Sequence, residues 1–398
     1  MKILQILPKI PYPPVDGHNK SMWGVIKYLA ERDHDISIIC YRQNVNSDCI
    51  IEEISKYAKL YIINIATKNN ILGALKNLFS EVPYNLSKYN RTEMKDYVIN
   101  HLRINNYDII HVTNAHMGWV VDIIKSCCST PIILRQENLE LSIMKRYYQS
   151  QKHLLLKFYS FIQYKKFLRY EPKLCSQFEK CIMISPEDEK KLKIFNYKIN
   201  STVIPIGVES ELFDIPLSLK NNHKIAHIGS LDWYPNRDGL NWFLQNIYSD
   251  ILKTFPNTQL FLYGNVTENF QINQEVKNNV VIRGFVENIW QEIKDFNLAI
   301  VPLRIGSGIR VKILELLAAG INVITTDIGK EGINLVDEKE ILIANNEKDF
   351  SQKIIKYFNG FYDALSIAEN GRTFIKKNYR WEIIATKFEQ TYNELIAK

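Results

Sequence analysis

The residues best suited to chemistry lie in one stretch, Val301 to Thr326, which reads VPLRIGSGIRVKILELLAAGINVITT. Gly306, Ser307 and Gly308 make a loop in which the backbone can turn sharply and approach a ligand closely. Arg310, Lys312 and Glu315 follow at once. A helix is expected from about Ile309 to Ala319, with Val311, Leu314, Leu317 and Ala318 on its core side and Gly320 as its stop. Before it, Asn297 to Leu303 is a short apolar run broken by Pro302, the pattern of a strand buried on both faces, and Asn322 to Thr325 resumes a strand. The free N–H groups that open such a helix stabilise an anion. Arg310 in the first turn opposes the helix dipole, so it gains most with an anion beside it. One reading is a phosphate site held by the N–H groups of Gly306 to Ile309, by Arg310 and by Lys312, with Glu315 accepting from sugar hydroxyls. The other is an ordinary helix with a surface Lys312–Glu315 pair, because a glycine loop before a helix is an unspecific signal.

A second glycine loop opens the chain. Lys2 to Leu7 reads as a buried strand, Pro8, Pro11, Pro13 and Pro14 forbid helix, and Asp16-Gly17-His18-Asn19 leads into a helix from about Lys20 to Arg32. This is either another anion site, near Gly17, or a simple βα turn. Tyr107 to Val112 is a strand with His111, Thr113, Asn114 and His116 gathered at its C-terminal end, where open α/β sheets place ligands. Thr130 to Arg135 is the next strand, followed by Gln136-Glu137-Asn138-Leu139-Glu140. Glu137 is read three ways: acceptor base, sugar-hydroxyl ligand, or carboxylate at a helix N-terminus. Asp33-His34-Asp35 lies at the opposite end of its strand and reads as a turn.

The elements that must position these residues form two successive β/α series. Strands are expected at 36–40, 60–65, 107–112, 130–135, 180–185 and 202–205, with helical structure through 68–106 and one or two long helices in 141–179. The polar, proline-bearing run Gly207 to Asn222 reads as a linker. His223 to Gly229 starts the second series, continued by strands at Thr258–Gly264 and Val280–Arg283, with Gly284-Phe285-Val286 after the latter. The expected division is 1–206 together with a C-terminal helix, 380–398, against 207–379.

The segment GSGIRVKILELLAAGINVITT resembles the donor-site segment of family 4 glycosyltransferases, and GSLDWYPNRDGLNWF, from Gly229 to Phe243, resembles the same group. The resemblance implies a GT-B fold: α/β, with two doubly wound Rossmann-like domains facing a central cleft and the last helix crossing back to the N-terminal domain. It implies a retaining, metal-independent hexosyltransferase that moves a sugar from a nucleotide diphosphate sugar to a glycan or lipid-linked glycan. On that resemblance, Glu315 holds the donor ribose, Gly284 and Phe285 cradle base and ribose, Gly17 faces the donor phosphates, and Gly306, Ser307, Gly308 and Ile309 complete the donor site. Arg310 and Lys312 then stabilise the departing diphosphate, Glu137 acts near the reacting sugar, and His111, His116 and Asn138 are acceptor or sugar contacts. Four positions depart from the family pattern: Ser307 where many members carry glutamate, Ser230 where many carry arginine, Asp238 near which many carry a lysine, and Glu137 where many carry histidine. These departures keep two alternatives in view, a GT-B-like nucleotide-sugar epimerase and a non-catalytic nucleotide-sugar-binding protein.

A chain of 398 residues, 46% hydrophobic and 23% charged, is long enough for two domains with ample cores. Its net charge of +7 suits an anionic substrate or an anionic membrane surface and does not call for nucleic acid. The six cysteines show no C-x-x-C pair and no zinc spacing, so reduced thiols in the cytosol are expected. No cofactor or metal is expected, since no D-x-D sequence falls at a suitable strand end. No apolar run reaches the roughly 18 residues of a spanning helix. Any membrane contact is therefore expected to be peripheral, at the cytoplasmic face of the inner membrane. The basic, aromatic stretch 141–179 is the candidate for it, against the plainer reading of helices packed on the N-terminal sheet with the basic side in water.

Overall fold

The computed structural model describes residues 1–397 except 43–47, 66, 68, 218–221, 267–269, 297 and 307. The chain divides into two compact units, Met1–Gly207 with Trp381–Lys398, and Val208–Arg380, one residue beyond the boundaries read from the sequence.

The first unit is built on a seven-stranded parallel sheet. Its strands are β1 (Lys2–Leu7), β2 (Asp35–Tyr41), β3 (Lys59–Ile63), β4 (Ile109–Thr113), β5 (Ile132–Gln136), β6 (Lys180–Met183) and β7 (Ser201–Val203), in the order β3-β2-β1-β4-β5-β6-β7. β1 pairs with β2 from Lys2 opposite Asp35 and with β4 from Ile3 opposite Ile109. Helices cover both faces of such a sheet, which is why β4 and β5 are buried at every residue and read as apolar runs rather than as alternating ones. The region expected to be helical through 68–106 is broken into Ile71–Lys76, a 3-10 turn at Asn77–Phe79, Tyr84–Ser87 and Thr92–Ile104. Pro83, at the N-cap of the third piece, accounts for one of the breaks. Residues 141–179 hold two helices, Glu140–Ser150 and Leu154–Cys175.

The C-terminal helix, Trp381–Ile396, belongs to the first unit. Trp381 is 2% exposed and stacks on Tyr28 with ring centroids 5.8 Å apart. Gly24 and Gly207 make room for its indole: a Cβ on either would lie 2.0 or 2.3 Å from ring atoms. Further along, Glu389 receives Arg32 at 2.8 Å and His34 at 2.9 Å.

The second unit repeats the plan with β8 (Lys224–Ile228), β9 (Gln259–Tyr263), β10 (Val280–Gly284), β11 (Leu298–Val301), β12 (Asn322–Thr325) and β13 (Leu342–Ile343). The order is β10-β9-β8-β11-β12-β13, all parallel. Its core is separate and gathers around Leu240, Phe243, Leu260, Leu298, Ile324 and Phe350.

Candidate functional site

In each unit the strand order reverses once, between β1 and β4 and between β8 and β11. Loops that leave neighbouring strands in opposite directions open a crevice at such a point, beyond the carboxyl ends of the strands. The candidate residues gather at these two places.

In the second unit, four glycines with positive φ follow or end neighbouring strands: Gly229 (+150°), Gly264 (+118°), Gly284 (+72°) and Gly306 (+146°). Gly229 N–H donates to Tyr263 O at 2.8 Å and Gly264 N–H to Gly284 O at 2.7 Å, so the edges of β8, β9 and β10 are tied together. A Cβ on Gly264 would lie 2.7 Å from the carbonyl carbon of Gly229; only glycine fits this floor.

The loop after β11 rises beside this floor. Its helix is shorter than expected, Val311–Ala318, and Arg310 stands at the N-cap in extended conformation rather than in the first turn. The Arg310 guanidinium folds back over the loop: Nη1 donates to Gly308 O at 3.0 Å, and a Cβ on Gly306 would sit 2.1 Å from Nη2. Lys312 turns inward. Its Nζ donates to Ile228 O at 2.7 Å and to Asn236 Oδ1 at 2.9 Å, while Asn236 Nδ2 donates to Ser230 O at 2.9 Å. Lys312 thus clamps the helix of the glycine loop to the end of β8. Burial, with Arg310 adding repulsion, pushes its pKa down to about 7. Two cations held this close, at least one of them desolvated, form a site whose charge an anion would neutralise.

Ile309 is buried, Glu315 is half-buried on the same helix, and Phe285 is 63% exposed beside Gly284. Ser307 lies outside the described residues. Sequence reading passed over Arg304, which grips Asp238 through two bonds of 2.8 and 3.1 Å and covers the Trp242 ring. Arg237, on the helix Tyr234–Asn246, donates to Leu231 O at 3.3 Å.

In the first unit, three loops converge after β1, β4 and β5. Asp16 caps the helix Gly17–Ala30 by accepting from Asn19 N at 2.7 Å, which leaves Gly17 exposed and His18 in the first turn. His18 Nδ1 makes a close contact with Glu137 Oε2. Asn114, at φ +66°, accepts from Glu137 N at 3.2 Å and brings its Nδ2 to 3.3 Å from His18 Nδ1. Burial raises the Glu137 pKa, but His18 and Arg135 outweigh it and hold the carboxylate below its ordinary range. Glu140 goes the other way: burial and the Glu137 charge push it up to about 7, against His18 and Lys88. His116, edge-on to Tyr89 at 5.1 Å, is driven down to about 3 by burial and by His18 and Lys88. Asn138 is half-buried in the turn after Glu137. In the sequence, the signal for His18 and Asn114 is only their position after β1 and β4.

His111 corrects an expectation. It was grouped with the sugar contacts, yet it is 1% exposed, bonds Tyr392 Oη through Nδ1 at 2.8 Å and stacks on Phe388. It lies within β4, one strand alternation away from the ligand edge, and serves to seat the C-terminal helix.

Residues 222–359 match the family model for glycosyl transferases group 1. A 44.6 kDa protein in the cps region of Klebsiella pneumoniae is 24% identical over 396 residues, 95% of this chain and 96% of the relative. Among solved structures, sucrose-phosphate synthase from Thermosynechococcus elongatus superposes with a TM-score of 0.72 at 16% identity, covering 100% of this chain and 99% of the other. The fold is GT-B. A glycosyltransferase from Rickettsia africae (TM-score 0.67, 18% identity, 99% of this chain and 98% of the other) has the same GT-B architecture. So does HepE of Anabaena in complex with UDP and glucose (0.69, 14%, 99% of each). The GT-B segment matched by the family model contains Gly229, Gly264, Gly284, Gly306, Arg310, Lys312 and Glu315.

Proposed function

We propose that the chain is a glycosyltransferase that takes a hexose from a nucleotide diphosphate sugar and passes it to a glycan or lipid-linked glycan, with retention at the anomeric carbon. The observation that carries this reading is the Arg310–Lys312 pair beside a glycine floor, inside the one segment that matches glycosyl transferases group 1. A diphosphate leaves with one negative charge more than it bore in the sugar donor, and the Arg310 and Lys312 side chains, held by Gly308 O and by Ile228 O and Asn236 Oδ1, are the cations that meet it. Glu315 takes the donor ribose, and Gly284 with Phe285 the base. The UDP in the HepE complex makes uridine the first base to try.

On the acceptor side, the roles fall to the first unit. Glu137 holds His18 by Nδ1, which leaves Nε2, 3.5 Å from Asn114 Nδ2, to take the acceptor proton; the imidazole side chain is 29% exposed, the carboxylate 5%. The base is therefore His18, oriented by Glu137. Transfer without a metal belongs to the same proposal, and the EDTA arm of the test below decides it. The place of the Klebsiella relative in a cps region supports a polysaccharide acceptor.

The test begins with thermal shifts against UDP, GDP, ADP, TDP and CMP, with and without EDTA. Ligand at 100 times its dissociation constant adds about 2.7 kcal/mol. Sugar donors carrying the selected base are then turned over with candidate acceptors. Arg310→Ala and Glu315→Ala are expected to lose about two orders of rate each. Near-normal turnover in both overturns the site. Release of an epimerised sugar without acceptor establishes the epimerase instead, and tight binding without turnover a binding protein.

A further inference from the structure

The first unit leaves a large apolar surface uncovered. In the helix Ile71–Lys76 and the turn after it, Ile71 is 81% exposed, Leu72 68% and Phe79 96%. At the start of the helix Leu154–Cys175, Leu154 is 81% exposed, Leu155 75% and Phe158 65%. The two segments are fastened together. Lys166 Nζ donates to the Asn77 carbonyl, Gln163 Nε2 donates to Asn77 Oδ1 at 3.2 Å, and Gln163 Oε1 accepts from Tyr84 N at 2.9 Å. Asn77 thus rests on the long helix, with Phe79 two residues on. Single exposed apolar side chains are common; six large ones in two adjoining segments mark a contact surface.

The charge around them says what the contact is. Residues 141–170 contain seven Lys or Arg and no Asp or Glu, an excess equal to the net +7 of the whole chain. Lys152, Lys165 and Arg169 are exposed there, and Lys76 lies on the neighbouring segment. Single-stranded nucleic acid is held by cations together with aromatic rings that stack on bases. Here four of the six exposed apolar residues are aliphatic, which cannot stack but do enter the boundary between headgroups and acyl chains. Among the described residues no helix is long and apolar enough to cross a membrane, so the contact lies in the interface plane.

We infer that this surface rests on an anionic lipid bilayer, its aliphatic and Phe side chains at the acyl boundary and its lysines and arginines at the headgroup phosphates. The inference stands apart from the sugar-transfer reading, since it uses none of the residues assigned to that site.

The experiment is flotation of the full chain with vesicles of phosphatidylethanolamine and phosphatidylglycerol, and separately of phosphatidylcholine. The chain is expected to float with the first and stay behind with the second. Each cation at an anionic surface is worth about fivefold in affinity, so Lys152→Gln with Lys165→Gln is expected to weaken binding more than tenfold. Phe79→Ser with Phe158→Ser is expected to weaken it about as much, at an unchanged melting temperature. A single Phe158→Trp chain supplies a second readout, a blue shift of its added emission on vesicle binding. Failure to float, or flotation that the phenylalanine pair leaves intact, overturns the inference; so does unshifted emission from Phe158→Trp. Donor binding measured on the same variants is expected to stay at the wild-type value, which separates this result from any failure of the transfer reading.

Discussion

Nδ1 of His18 meets Oε2 of Glu137 although one residue follows β1 and the other follows β5. The imidazole and Arg135 keep the buried carboxylate ionised, and the carboxylate fixes the ring. His18→Ala and Glu137→Gln are each expected to lower turnover by about two orders. Because they act as a unit, the double variant should be little worse than the poorer single one. Donor affinity should move less than about twofold. Diphosphate release and calorimetry measure the two; losses that add in the double variant would show separate roles.

Lys312, with its pKa near 7, is only partly charged at neutral pH. A bound diphosphate favours the ammonium, so donor binding is expected to take up a proton between about pH 7 and 9. Calorimetry in buffers of different ionisation enthalpy reads this directly. Lys312→Met should abolish the uptake and weaken binding. Uptake that survives in Lys312→Met assigns the proton to another group.

Gly306 and Gly360 offer an informative pair. Both have positive φ, which costs an alanine about 1–2 kcal/mol. A Cβ on Gly306 also collides with the Arg310 guanidinium, whereas a Cβ on Gly360 meets nothing within 4 Å. Gly306→Ala is therefore expected to displace Arg310 and weaken diphosphate binding about tenfold. Gly360→Ala should show mainly the backbone cost in its urea midpoint. Equal binding losses would mean that Arg310 placement does not matter.

Trp381 fills a slot between Gly24 and Gly207. Trp381→Ala is expected to cost about 3–5 kcal/mol and Gly24→Ala about 1–3 kcal/mol, the first by a cavity and the second by overpacking. Urea unfolding of the full chain, followed through the first unit's transition, checks both.

Burial holds His111, His116 and His227 neutral, with pKa values of about 3 against an ordinary 6.5. A depressed pKa contributes stability above 6.5 that is lost as pH falls through the folded value. Glu140 has the opposite sign: raised from 4.5 to about 7, it favours the fold below 4.5 and loses that contribution as pH rises through about 7. Burial raises Glu171 in the same way, but the three histidines and the lowered Glu137 act in the other direction, so stability is expected to fall on acidification from pH 6.5 towards 3. His111→Gln should reduce that fall; urea midpoints at a series of pH values would show a flat profile if the histidines were not buried neutral.

Much of the fold was legible in order along the chain. Apolar runs such as those of β1, β4 and β11 announce parallel strands because such strands are buried on both faces and need no alternation. Gly306 and Gly308 announced a turn because few other residues tolerate its φ values. The candidate site was legible only as far as each loop could be read alone. Arg310 and Lys312 were visible as cations beside glycines, but not the carbonyl of Ile228 or the amide of Asn236 that hold Lys312. His111 was misplaced because a strand shows which residues alternate, not which side a later helix will cover.

The amino-acid order by itself determined two β/α series and glycine loops at strand ends, since these follow from local conformational limits and from the burial of apolar runs. Only the tertiary structure decided which polar groups meet. Leu139 has no side chain able to cap the helix Glu140–Ser150; Glu171, on the next helix, accepts from Glu140 N at 3.0 Å and Leu141 N at 2.8 Å instead. That carboxylate also receives Gln136 Nε2 at 3.0 Å, and so helps set the turn that carries Glu137. Such partners are chosen by packing, because a buried N–H must find an acceptor wherever the fold brings one, at any distance along the chain.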